Sequence, residues 1–122
     1  MTSRVLPQEE WHQVAHLDIG RFLPYATPAH TEIVVVEREG VIVGCWAVLR
    51  ITHVEGLWID PAYRGRVSVA RRLFHATMAV ARRWTDHWVM TGAQTPEIAD
   101  LLRRYGATEI PMQTFVMPIG GH

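Results

Sequence analysis

The chain has 122 residues, a formal net charge of zero and 48% hydrophobic side chains. That length fits one domain, residues 1–122, and that apolar share argues for a packed core and against a disordered chain. Zero net charge argues against bulk attraction to nucleic acid or an anionic membrane, and no apolar run approaches the ~18 residues of a membrane span.

The N-terminal Met1-Thr2-Ser3-Arg4 leads into a polar pattern with no apolar signal stretch, so the expected location is cytoplasmic. Arg4-Val5-Leu6 reads as a short first strand. Pro7 suits the first turn of a helix, and Trp11, Val14, Ala15 and Leu17 give that helix an apolar side through about Asp18. Gly20 to His30, with Pro24 and Pro28, reads as irregular chain with room for one helical turn. Thr31 to Arg38 holds Ile33-Val34-Val35-Val36, a buried strand by its β-branched content. Glu39-Gly40 is a turn signal, and Val41 to Arg50 is the second arm of a hairpin. Ile51 to Asp60 is predicted as a third antiparallel strand, stopped by Pro61.

After the turn Asp60-Pro61-Ala62-Tyr63-Arg64-Gly65 comes the clearest helix. Val69, Leu73, Ala76, Val80 and Trp84 repeat at helical spacing, widened by Ala70, Phe74, Thr77 and Ala81. His87 to Gly92 is a short strand. Thr95-Pro96-Glu97 is a helix start with a hydroxyl cap, a proline and an acid in the first turn. Ile98, Leu101, Leu102 and Tyr105 form the apolar face of that helix, and Gly106 ends it. Thr108 to Ile119 is predicted to hold one or two final strands. The fold class is therefore α/β (α+β): a mixed, mostly antiparallel sheet flanked by helices on both faces.

Every basic side chain among Lys and Arg is arginine, which fits codon bias in a GC-rich genome, and Arg64, Arg66, Arg71 and Arg72 fall close together. A helix that follows a strand and a Gly-containing turn offers free N–H groups and a positive dipole end to an anion, and arginine's planar fork suits phosphate oxygens. Gly65 allows close backbone approach, and Ser68 is placed to cap the helix or to hold a phosphate oxygen. The plainer alternative is a β-to-α turn with solvated arginines.

The run Leu57-Trp58-Ile59-Asp60-Pro61-Ala62-Tyr63-Arg64-Gly65-Arg66 resembles the heart of the GNAT superfamily of N-acetyltransferases. There an apolar strand ending in Val/Ile-x-Pro runs into an Arg-Gly-x-Gly-x-Gly/Ala turn and a long helix. The resemblance covers roughly Glu32 to Gly106 and extends to the element order. It implies the acyl-CoA N-acyltransferase fold, with acetyl-CoA as co-substrate between two splayed strands. The strand segment with Trp58, Ile59 and Asp60 would then hold the pantetheine arm. Arg64, Gly65, Arg66, Val67, Ser68, Val69 and Ala70 would hold the pyrophosphate. Where the family places small residues, this chain has Val67, Ser68 and Val69, or else Val67-Ser68 is a one-residue expansion and Ala70 takes the last small position; the branched valines add bulk where pyrophosphate meets bare amides.

Acetyl transfer to an amine needs a base for the amine proton and a polarised thioester carbonyl. His53 and Glu55 lie two apart on the predicted third strand and share a face. The resemblance implies a Glu or His base there, while a solvated His–Glu pair is the alternative. The family's frequent tyrosine acid falls at Leu102, and Tyr105 lies three residues later. The apolar surroundings of Cys45 read as core, and so do the spacings of Trp46, Trp58, Trp84 and Trp88. His12 and His16 share a helical face without an evident third ligand, so no metal site is expected. The implied reaction is acetyl transfer from acetyl-CoA to the amine of a small molecule or peptide. The departures at Val67, Val69 and Leu102 leave a second reading, a catalytically degenerate binding module on the same fold. Homodimerisation through the last strands or an exposed sheet edge is compatible with either.

Overall fold

The computed structural model describes residues 1–85 and 87–120. It divides into two compact units, Met1–Gly92 and Ala93–His122. The first is built on β1 (Thr2–Leu6), β2 (Thr31–Arg38) and β3 (Val41–Leu49), an antiparallel sheet with β2 in the centre. Glu39 and Gly40 join β2 to β3 with φ of 54° and 78°. Positive φ at both central residues is what a two-residue turn needs to match strand twist. Along β2, Thr31, Ile33 and Val35 are buried while Glu32 and Val34 are exposed, the alternation of a strand with one face on the core.

Leu6, Val14, Ile33 and Val35 form the fully buried centre, with Trp11, Ile19, Leu23, Ile42, Cys45 and Ala47 packed around it. The predicted first α-helix is instead 3₁₀: Gln8–Val14, followed by short 3₁₀ turns at Asp18–Arg21, Leu23–Tyr25 and Pro28–His30. The tighter repeat of three puts Trp11 and Val14 in line over the sheet, and these are the residues the core takes. Trp11 Nε1 donates to the Leu6 carbonyl at 3.3 Å, which anchors the segment to β1. Gly20 lets the chain close on itself, because a Cβ there would overlap the Ala15 carbonyl oxygen. Arg4 adds an electrostatic tie: it pairs with Glu10 at 3.1 Å and with Glu37, joining the 3₁₀ segment to both strands.

The predicted third strand shortens to β4 (Thr52–Val54), which pairs with β5 (Val89–Thr91) in parallel and not with β3. Only Arg50 and Ile51 separate β3 from β4. A tight hairpin there would need positive φ, and among the described residues that occurs at Glu39, Gly40, Gly56 and Gly106 alone. Gly56, at φ 82°, then turns the chain out of extended geometry, so Leu57 to Asp60 is not a strand. The crossover from β4 to β5 contains α1 (Val67–Ala81). Its buried side is Ala81 with the partly buried Ala70, Phe74, Thr77 and Met78, while Leu73, Val80 and the following Trp84 are exposed. The stripe is thus rotated from the one predicted. Trp46, Trp58, Trp84 and Trp88 are exposed and not core; Trp88 makes an edge-to-face contact with Tyr25 at 4.9 Å.

The second unit contains α2 (Pro96–Arg104), which has the predicted ends. The Thr95 hydroxyl accepts from the Ile98 N–H at 3.2 Å. Gly106, at φ 89°, closes a Schellman motif in which Gly106 N–H bonds Arg103 and Ala107 N–H bonds Leu102, each at 3.0 Å. The final strands predicted within Thr108 to Ile119 are absent; Pro111 and Pro118 remove two donors, and Phe115, Val116 and Ile119 are exposed. The architecture is mixed α+β with mostly antiparallel pairing. No helix among the described residues is long and apolar enough to cross a membrane.

Ile33→Ala removes a fully buried side chain and should cost about 2–5 kcal/mol in urea unfolding. The Arg4 guanidinium holds the Glu10 carboxyl below its ordinary value of 4.5. The folded state therefore takes up that proton less readily than the unfolded chain. The pair's contribution is complete above about pH 4.5 and is lost as pH falls through the depressed value. Arg4→Gln should lower the melting temperature at neutral pH and flatten its decline below about pH 4.5, read by circular dichroism melts across that range.

Candidate active site

His53 is the central residue of β4, opposite Met90 of β5, and Glu55 follows just beyond the strand. Their spacing of two brings them together as predicted: His53 Nδ1 lies 3.0 Å from Glu55 Oε1. Both are about half exposed, at 52% and 57%, so solvent and a diffusing amine can reach them. Gly92, which the sequence reading did not single out, belongs beside them. A Cβ built on Gly92 would stand 3.6 Å from Glu55 Oε2, in van der Waals contact, which puts Gly92 directly beside that carboxylate. The signal was a lone glycine after a short apolar strand.

The parallel ladder stops at Val54 and Thr91. Leu57, Trp58, Ile59 and Asp60 then run on without a strand partner. Trp58 is 66% exposed, while Leu57 and Ile59 are partly buried. The Asp60 carboxylate accepts from the Ala62 N–H at 2.8 Å and starts a 3₁₀ turn at Pro61–Tyr63. Arg66 N–H then bonds the Tyr63 carbonyl at 3.0 Å. Asp60 is therefore used by its own turn.

The turn feeds directly into α1. Arg64 Nε donates to the Ile59 carbonyl at 3.0 Å, folding that side chain back across the turn. The Arg66 guanidinium lies 5.0 Å from the Tyr63 ring centroid, a cation–π contact. Gly65 has open space where a Cβ would be. Arg66 occupies the N-cap position and gives no side-chain cap. Its carbonyl accepts from the Val69 N–H at 3.3 Å, which leaves the N–H groups of Val67 and Ser68 as the uncapped ones of the first turn. Ser68 is the second residue of α1 and not its cap, which corrects the first of its two expected roles and leaves the phosphate-oxygen role. Val67 is 64% exposed at the helix start, while Val69 and Ala70 are partly buried. The arginine-rich turn, the uncapped helix end and the dipole make this segment electropositive.

These elements define the class of protein. Residues 3–105 match the acetyltransferase (GNAT) family, and the chain belongs to that family. No curated protein matches it. Among solved structures, a ribosomal-protein-alanine N-acetyltransferase from Brucella melitensis biovar Abortus 2308 aligns over 98% of this chain and 100% of that one. The alignment has 15% identity and a TM-score of 0.37.

Among the described residues no cluster of three or more His, Cys, Asp or Glu side chains forms a metal-binding group. His12, expected on a shared face with His16, places Nδ1 3.1 Å from the Glu9 carbonyl oxygen. Cys45 is partly buried against the core cluster, as its apolar strand predicted.

Gly56 makes a sharp test of the local geometry. An alanine at φ 82° should destabilise the protein by about 1–2 kcal/mol. It should also move Glu55 relative to His53, so the His53 ring nitrogen shifts in an ¹⁵N spectrum should change in Gly56→Ala and not in the surface control Gln13→Ala.

Proposed function

We propose that the chain is an acetyl-CoA-dependent N-acetyltransferase in which residues 1–122 work as one GNAT domain in the cytoplasm. The observation that carries this reading is the uncapped N-terminus of α1 directly behind Arg64-Gly65-Arg66. A pyrophosphate there would be met by backbone N–H groups, by the helix dipole and by guanidinium donors. Trp58, Ile59 and Asp60 lie on the stretch without a strand partner that leads to it, where backbone N–H groups outside any ladder suit the pantetheine amides.

In this reading Glu55 and His53 manage the proton of an incoming amine. Their contact lets a proton gained by one be shared with the other. Backbone N–H groups near Ile59 and Asp60 polarise the thioester carbonyl. The amine nitrogen forms a bond to the acetyl carbon as the carbon–sulfur bond breaks, and coenzyme A leaves as the thiol. The acceptor is an amine on a small molecule or a peptide.

The residues fit the co-substrate in charge and in backbone availability. Val67 is where they fit less well, since its exposed branched side chain stands at the first helical position. That feature favours the second reading, a binding module of the same family without turnover.

Calorimetry separates the two. Acetyl-CoA should bind with saturable heat, and the Arg64→Gln/Arg66→Gln double variant should bind it at least about tenfold more weakly. Glu55→Gln should leave acetyl-CoA binding intact and lower thioester turnover on an amine panel by about 10²-fold or more. No heat with millimolar acetyl-CoA or CoA would remove the enzyme reading, and saturable binding without turnover on any amine would favour the module.

A further inference from the structure

Tyr63 and Arg66 belong to one tight turn. Tyr63 N–H bonds the Asp60 carbonyl at 2.8 Å, and Arg66 N–H bonds the Tyr63 carbonyl at 3.0 Å. Both bonds have the 3₁₀ spacing, in which side chains three residues apart stand over one another. The Arg66 guanidinium carbon accordingly lies 5.0 Å from the Tyr63 ring centroid. Tyr63 is 45% exposed, so its ring is not there to fill the core. Among the described residues no carboxylate forms an ion pair with Arg66.

The two arginines of the turn are held in different ways. Arg64 spends its Nε–H on the Ile59 carbonyl. Arg66 instead lies over an aromatic ring, which attracts a cation through its π face and offers it no carbonyl or carboxylate oxygen. The contact therefore restrains the guanidinium while its in-plane N–H donors meet no competing carboxylate. Val67 and Ser68, whose N–H groups are the uncapped ones of α1, follow directly in the chain.

We infer that Tyr63 is a positioning residue for the pyrophosphate of the co-substrate: its ring holds the Arg66 guanidinium in the turn before α1, with the Arg66 donors left for phosphate oxygens. The inference rests on the acetyl-CoA reading of this turn. An unrestrained arginine loses rotamer freedom when a phosphate fixes it, and a side chain already held loses less. The role belongs to the ring and not to the hydroxyl, because a phenyl ring presents a cation with the same kind of face. It is also separate from the main chain of the turn, since the bonds among Asp60, Tyr63 and Arg66 use backbone atoms that a side-chain substitution leaves in place.

The test is calorimetry on the full chain with two probes, acetyl-CoA and inorganic pyrophosphate. Tyr63→Leu should weaken both by about two- to fivefold, the range of an exposed cation–π contact, and Tyr63→Phe should bind both as the unmodified chain does. In an Arg66→Gln background Tyr63→Leu should cause no further loss, because the ring then has no guanidinium to hold. Binding by Tyr63→Leu as tight as that of the unmodified chain overturns the assignment. An equal loss from Tyr63→Leu with and without Arg66 overturns it too, since the ring would then act by another route. A Tyr63→Phe variant as weak as Tyr63→Leu overturns it in favour of the hydroxyl. Should Tyr63→Leu fail to fold, Tyr63→Met takes its place. Should both fail, the Arg66 δ-proton shifts of the unmodified chain decide: the ring should move them upfield of ordinary arginine values and pyrophosphate should perturb them, and ordinary, unresponsive shifts overturn the assignment. The two probes keep the failures apart. If acetyl-CoA binds with no dependence on Tyr63, only the positioning role falls. If pyrophosphate binds with the expected dependence and acetyl-CoA does not bind, only the transferase reading falls. If neither probe binds, both fall.

Discussion

Parallel strands cannot be joined by a tight turn, because the chain must travel back along the sheet before the second strand begins. The pairing of β4 with β5 therefore requires a crossover, and α1 lies within it. This short ladder organises the site. Its end fixes where Glu55 stands and brings Gly92 alongside that carboxylate. Its end is also where the chain is released, so that Leu57 to Asp60 carries backbone groups not used in a sheet. Lengthening β4 by six residues, to Asp60, would pair those groups in the sheet. Gly56, at φ 82°, is the residue that prevents it.

The turn from Asp60 to Arg66 is held by contacts internal to itself. Asp60 accepts from Ala62, Arg66 bonds Tyr63, Arg64 reaches back to Ile59, and Arg66 stacks on Tyr63. A turn that supplies its own hydrogen bonds does not draw on the N–H groups of Val67 and Ser68, while that of Val69 bonds the Arg66 carbonyl. Preorganisation of this kind lowers the ordering cost of binding. It also sets a limit, because one donor of Arg64 is committed to the main chain before any ligand arrives.

Legibility in the sequence tracked the range of the interaction. The hairpin turn at Glu39-Gly40, the Thr95 cap and the Gly106 stop are local chemistry, and the structure has each where the residues indicate. The contact between His53 and Glu55 follows from a spacing of two and was equally readable. Partner choice was not readable. Ile51 to Asp60 is rich enough in β-branched and aromatic residues to suggest a strand, but nothing within it says that β5 and not β3 is the neighbour. Apolar spacing was likewise a poor guide to the tryptophans, because helical periodicity identifies a stripe without saying what stands opposite it. Gly92 was invisible as a site residue, since its significance lies in the carboxylate of a residue far away in the chain.

Two groups of charges in the first unit illustrate how structural and functional pairs differ. Arg4 meets Glu37 on β2 and Glu10 on the 3₁₀ segment, so its contacts tie three stretches of chain together across the sheet edge. Glu37 is the least exposed of these partners, at 17%, and the arrangement has an evident role in placing the 3₁₀ segment over the core. His53 on β4 and Glu55 just beyond its end lie two residues apart, and their contact ties nothing that the backbone has not already joined. Exposed pairs of that kind contribute about 0–1 kcal/mol, too little to explain their placement by stability. Their position does have a chemical consequence: it leaves a proton-accepting pair open to solvent where β4 ends and the unpaired stretch begins. That asymmetry is the reason to seek catalysis at His53 and Glu55 and scaffolding at Arg4.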